Sequence, residues 1–184
     1  ITDEAMKLVE AGNAVITPDC RGHAMVSSVS DGNFSEMTPS KSVKDIMAVI
    51  DFISEGNLID MDNIFIWGFS IGGYTATKAA IENPDIFKSL VVYDASYQMP
   101  EKVRELYPEG TEIPEAANKQ EYGKPFYEEM IATDIIEEMK IYNGNVSDKI
   151  KWYIVNLFAN MTTEDFLNPI AFIDKYMAFL RDKT

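Results

Sequence analysis

Histidine and cysteine are almost missing from this chain of 184 residues, which has one of each, His23 and Cys20. A single cysteine excludes an internal disulfide and suits a reducing compartment, so a cytoplasmic location is expected. No His/Cys group has metal-ligand spacing, so neither a metal nor another cofactor is expected. Basic residues are also scarce, 16 Lys and Arg against 30 Asp and Glu, for a formal net charge of −14. Nucleic-acid binding needs a basic footprint, and so does an anionic membrane surface, so neither partner is expected. The acidic excess is spread along the chain without an acidic block, which reads as a solvated surface and not as a tail. No apolar run approaches the ~20 residues that cross a bilayer. There is no internal repeat, no low-complexity stretch and no glycine-rich loop ending in Lys-Ser/Thr to hold a phosphate.

What is present is a sizeable apolar fraction, 46% of residues, enough for the core of one domain of this length. One stretch organises the rest: Asn63-Ile64-Phe65-Ile66-Trp67-Gly68-Phe69-Ser70-Ile71-Gly72-Gly73-Tyr74. Ile64 to Trp67 is continuously apolar, as in a strand covered on both faces. After Gly73 come the helix formers Ala76, Lys78, Ala79 and Ala80. Between them Gly68, Ser70 and Gly72 form G-x-S-x-G, the strand-turn-helix motif of a nucleophilic serine. The spacing follows from the chemistry. Ser70 must sit at a strained turn with its hydroxyl raised above the sheet, and the two glycines are expected where neighbouring backbone leaves no room for a side chain. The following helix aims its first N–H groups at the reaction centre, so Ile71 N–H is the candidate oxyanion donor. The competing reading is a serine that merely caps the helix.

In chain order, residues 2–11 read as a helix capped by Thr2 and stopped by Gly12, and residues 14–17 as a short strand ended by Pro18. Ser40 is expected to cap a helix carrying Val43, Ile46, Met47, Ile50 and Ile53, ended by Gly56. Residues 89–93 read as another buried strand, ending at Asp94. Alternating helix and strand implies a parallel sheet with helices on both faces and right-handed crossovers. Beyond Tyr97 the texture changes, with Pro100, Pro108, Pro114 and Pro125 punctuating short helical pieces. The expected organisation is one domain over 1–184, with a sheet core over 1–97, a helical lid or insertion over 98–140 (or a surface excursion with no role in substrate choice) and a C-terminal segment over 141–184. In that last segment, residues 152–158 are an apolar run, Thr162 and Asp165 make a capping box, and an amphipathic helix follows Asn168-Pro169 through Ile170, Ile173, Met177 and Leu180.

These motifs together resemble the α/β-hydrolase superfamily. Residues 15–23 look like the strand and D-x-R-G-H loop before its first long helix, and residues 68–73 like its nucleophile elbow. Residues 31–38, 122–127 and 134–138 resemble the cinnamoyl and feruloyl esterase group. Prolyl-oligopeptidase-like hydrolases share the G-x-S-x-G-G-Tyr elbow and are the nearest competitor. The resemblance implies a three-layer α/β fold, truncated, with a small helical lid. It also implies hydrolysis of small carboxylic esters, hydroxycinnamates among them, through an acyl-enzyme on Ser70.

One family feature is missing. The superfamily orders its triad as serine, acid, histidine, and no histidine follows Ser70. The acid and histidine strands are therefore expected to be deleted, replaced or missing from this chain, and the second oxyanion donor to lie upstream of Ile1. Asp94 is the candidate acid on the place it holds after the next strand, with a loop cap as the alternative. His23 reads as a structural residue of its loop and not as the base, and Cys20 as a buried thiol. A catalytically silent fragment or scaffold, and a prolyl-oligopeptidase-like peptidase, stand beside the esterase. The exposed edges of a truncated sheet would favour a homo-oligomer.

Overall fold

The computed structural model describes residues 3–23, 30–56, 59–118 and 121–143. The segments expected over 152–158, 162–165 and 168–180 lie outside them, as does the Thr2 cap. Helix α1, Asp3–Glu10, stops as its sequence requires. Gly12 takes φ 88, and the N–H groups of Gly12 and Asn13 donate to Val9 O at 2.9 Å and Leu8 O at 3.0 Å. That paired closure needs a left-handed residue, which glycine supplies without strain.

The strand expected over 14–17 is not formed: residues 13–20 have no regular secondary structure, and Ile16 is 48% exposed. A strand exists only by pairing with a neighbour, and this four-residue run ends at Pro18, which has no N–H to extend a ladder. The segment up to Thr17 and the segment from Pro18 belong to two separate compact units.

In the unit that begins at Pro18, helix α2 spans Pro39–Glu55. Its N-cap is Thr38, not Ser40. Thr38 Oγ1 accepts from Lys41 N–H at 3.2 Å, and Pro39 opens the helix. Proline suits the first helical position because its fixed φ is already helical and its missing N–H would have had no partner. Ser40 is thereby moved inside the first turn, where its N–H and hydroxyl donate to Glu129 at 2.9 and 2.8 Å.

Strands β1, Phe65–Phe69, and β2, Ser89–Tyr93, pair in parallel from Phe65↔Ser89 to Phe69↔Tyr93. Helix α3, Ile71–Glu82, makes the crossover between them and packs on both strands and on α2. Ile64, Ile66, Leu90 and Val92 meet Ala76, Ala79, Ala80 and Val43 in the buried core. The alanines keep that face of α3 small, and each large aliphatic side chain buried here contributes ~1.5–3 kcal/mol.

The other face of β1 departs from expectation. Phe65 is 57%, Trp67 43% and Phe69 57% exposed. The strand alternates buried and exposed residues even though its sequence is continuously apolar. Among the described residues, helices cover the sheet on its Ile66–Leu90 face.

Helices α4, Met99–Leu106, α5, Lys124–Ala132, and α6, Ile135–Asn143, supply the helical pieces expected over 98–140. Val103, Phe126, Met130 and Ile135 bury themselves against Tyr74 of α3 and against Met37, in a second apolar cluster. No helix of the described residues is long and apolar enough to cross a membrane.

Candidate active site

The site is built where β1 ends and α3 begins. Ser70 sits between them at φ 53 and ψ −122, the left-handed side of the backbone map that the motif requires. Such a residue costs ~1–3 kcal/mol and persists only where its surroundings fix it. Here Ser70 N–H donates to Tyr93 O at 3.0 Å, while Ser70 O accepts from Tyr74 N–H at 3.2 Å and Ser96 N–H at 3.1 Å. The hydroxyl is not spent on the helix, because Ser70 is the N-cap residue of α3 by position but makes no side-chain cap bond. Its partner among the described residues is Ser96 Oγ, at 3.3 Å. Ile71 is the first residue of α3, so its N–H has no acceptor within the helix and is available to an oxyanion.

The two motif glycines are not equivalent. A Cβ on Gly68 would stand 2.2 Å from Gly72 O and 2.5 Å from Gly72 C. The elbow closes on itself there, and no side chain fits. A Cβ on Gly72 would meet nothing within 4 Å, so the crowding expected of it falls elsewhere. The residue that is crowded is Gly73, whose Cβ would lie 2.8 Å from Ala95 Cβ. In the first turn of α3, Gly72 faces outward and Gly73 faces the loop after β2.

Asp94, the candidate acid, is exposed one residue beyond β2, at φ 48. The structure places it at the same sheet edge as Ser70. The only histidine, His23, lies in the loop after Gly22, edge-on to Phe34 with ring centroids 6.2 Å apart. Ser96 is the residue beside Ser70 that the motif does not reveal; Gly73 stands in the longer G-x-S-x-G-G-Tyr pattern, but no spacing marked it as the crowded glycine. Among the described residues no group of three or more His, Cys, Asp or Glu could hold a metal.

The Asp19–His23 loop is held from α2. Arg21 Nε and backbone N–H both donate to the Asp45 carboxylate at 2.7 Å. Burial pushes the Asp45 carboxyl up, but the Arg21 hydrogen bonds and charge outweigh it and hold the group below its usual range. Burial pushes the Cys20 thiol up, with Asp45 adding to it, so thiolate is scarce there. A depressed carboxyl stabilises the fold above its unfolded value, about 4, and that contribution is lost as pH falls through the folded value. Asp45→Asn is therefore expected to lower the urea midpoint at pH 7, with the gap starting to close below about pH 4 and vanishing only under the depressed folded value. The shift is small, because the Arg21 side chain is 61% exposed and water screens the pair. An equal gap at both pH values would remove the ion pair as its cause.

The sequence profile of the prolyl oligopeptidase family matches residues 2–144. The chain belongs to the prolyl oligopeptidase family. It is thus an α/β-hydrolase, and its family is the one the sequence motifs ranked second to the feruloyl esterases. A curated relative is an uncharacterized 31.7 kDa protein of the traX-finO intergenic region of Escherichia coli, 35% identical over 79 residues, 43% of this chain and 26% of the relative. Among solved structures the prolyl oligopeptidase-family chain is similar to Est1E from Butyrivibrio proteoclasticus with ferulic acid bound. The identity is 24%, the TM-score 0.54, and the match covers 65% of this chain and 49% of Est1E. That likeness shows the same fold. The chain spans about a quarter of the curated relative and about half of Est1E.

Proposed function

We propose that Ser70 is the nucleophile of a serine hydrolase that cleaves small carboxylic esters through an acyl-enzyme. The observation that carries this reading is the left-handed backbone at Ser70 together with a hydroxyl left unspent on capping. A serine that served only as a cap would gain its stabilisation from a bond to the first helical N–H groups, and would have no reason to hold a strained turn. In the proposed reaction the Ser70 hydroxyl attacks the ester carbonyl, a base takes its proton, and Ile71 N–H receives the negative oxygen. The bound ferulic acid in Est1E supports hydroxycinnamoyl esters as the first substrates to try. Membership of the prolyl oligopeptidase family supports a second reading, a peptidase built on the same serine. The absence of a histidine after Ser70 supports a third, a catalytically silent scaffold. The single cysteine supports a cytoplasmic location.

The test is covalent labelling of the complete gene product with a fluorophosphonate. Ser70 is expected to carry the label, Ser70→Ala to abolish it, and a hydroxycinnamate methyl ester to compete for it. Competition by a proline-containing peptide and not by the ester would favour the peptidase. No label on Ser70 would leave the scaffold.

A further inference from the structure

The strands β1 and β2 run in register and end level, at Phe69 and Tyr93. The next residue of each has a positive φ, 53 at Ser70 and 48 at Asp94, and these are the two non-glycine residues of that kind among the described residues. Two such turns side by side fold the loop after β2 back onto the elbow. Ser96 N–H donates to Ser70 O at 3.1 Å, and Ala95 sits against Gly73, where no Cβ would fit. On the far side, Tyr97 is anchored through its hydroxyl, 2.7 Å from Thr77 Oγ1 on α3. The loop is tied on both sides of Ser96, and its hydroxyl is brought to 3.3 Å from Ser70 Oγ.

We propose that Ser96 is a positioning residue for Ser70, its hydroxyl selecting the rotamer in which Ser70 Oγ faces an incoming carbonyl. The inference rests on the reading of Ser70 as nucleophile. A serine hydroxyl has three staggered wells, and with no cap bond α3 does not choose among them. Ser96 makes that choice. At 3.3 Å the contact is longer than the ~2.7–2.8 Å of a strong hydroxyl pair. It holds the hydroxyl loosely enough to release it to a base, and contacts of this kind tighten when substrate arrives. The strain at Asp94 then has a purpose: it turns the chain so that Ser96, two residues on, reaches the elbow.

The experiment compares Ser96→Ala and Ser96→Thr in the complete gene product. It measures the rate of fluorophosphonate labelling of Ser70, kcat and KM on an activated aryl ester, and thermal midpoints. Ser96→Ala is expected to lower kcat and the labelling rate by ~3- to 10-fold, the size of one neutral hydrogen bond, with KM changed less than about twofold. Ser96→Thr keeps the hydroxyl and is expected to restore both rates. Both variants keep the backbone bond to Ser70 O, so their thermal midpoints should match the parent's, which a merely structural role would not predict. Parental labelling by Ser96→Ala, or a Ser96→Thr variant as slow as Ser96→Ala, would overturn the inference and leave the nucleophile standing. A parent that carries no label on Ser70 overturns both.

Discussion

Purified alone, the 184-residue chain is expected to hydrolyse an activated aryl ester barely above the buffer rate, and Ser70→Ala to change that rate by less than about twofold. The reason is protonation. A serine hydroxyl is a poor nucleophile at neutral pH unless a base removes its proton, and the sequence holds no histidine after Ser70. The one histidine it does hold lies against Phe34, and the Ser70 hydroxyl lies 3.3 Å from Ser96 Oγ. With triad partners absent, a hydrolase retains ~10³–10⁴-fold over water from its oxyanion hole and binding. Ile71 N–H is the oxyanion donor offered by the described residues, and each donor lost from such a hole costs ~10²–10³-fold. What remains after both losses is close to background. In the complete gene product the same substitution is expected to remove ~10³-fold or more. Robust turnover by the short chain, abolished by Ser70→Ala, would mean a base is already present, with His23 the first residue to replace.

The elbow was legible because its chemistry leaves few choices. Strand, glycine, serine and helix in that order fix a turn, and Ser70 has the backbone such a turn requires. Helix α2 was legible from its period, though its start was not. Pro39, Pro100 and Pro125 stand in the first turns of α2, α4 and α5, where a proline begins a helix and does not break it. The failures share a cause, which is that they depend on partners distant in the chain. A run such as 14–17 carries strand propensity, but only a neighbour makes it a strand. The apolar sequence of β1 does not say which face is covered. The Ser70–Ser96 contact joins residues 26 apart by way of the parallel register, which no local pattern records. The same holds for Gly72 and Gly73. The motif names positions, and only the direction of the first turn of α3 decides which of them is crowded.

That crowding gives a large expected effect on stability. Gly68→Ala would set a methyl group 2.2 Å from Gly72 O, 2.5 Å from Gly72 C and 2.7 Å from Gly73 N. All three are backbone atoms of the helix start, which cannot swing aside as a flexible side chain could. Relief requires α3 to move off β1, and α3 is what covers the sheet core through Ala76, Ala79 and Ala80. Overpacking commonly costs ~1–3 kcal/mol, and this case belongs at or above the top of that range. Gly73→Ala meets Ala95 Cβ at 2.8 Å and the backbone atoms Ala95 Cα and Gly68 O at 3.1 Å; the overlap is shallower than at Gly68, so a smaller loss is expected, in the middle of the range. Gly72→Ala meets nothing within 4 Å and replaces a poor helix former with the best one. It is expected to match the parent or gain up to ~1 kcal/mol. Urea unfolding of the three variants in the complete gene product orders them, with Gly68→Ala far below Gly73→Ala and Gly72→Ala at the parent midpoint or above it. If Gly68→Ala and Gly72→Ala lost stability equally, the close approach of Gly68 to the start of α3 would not be what the motif glycine is for.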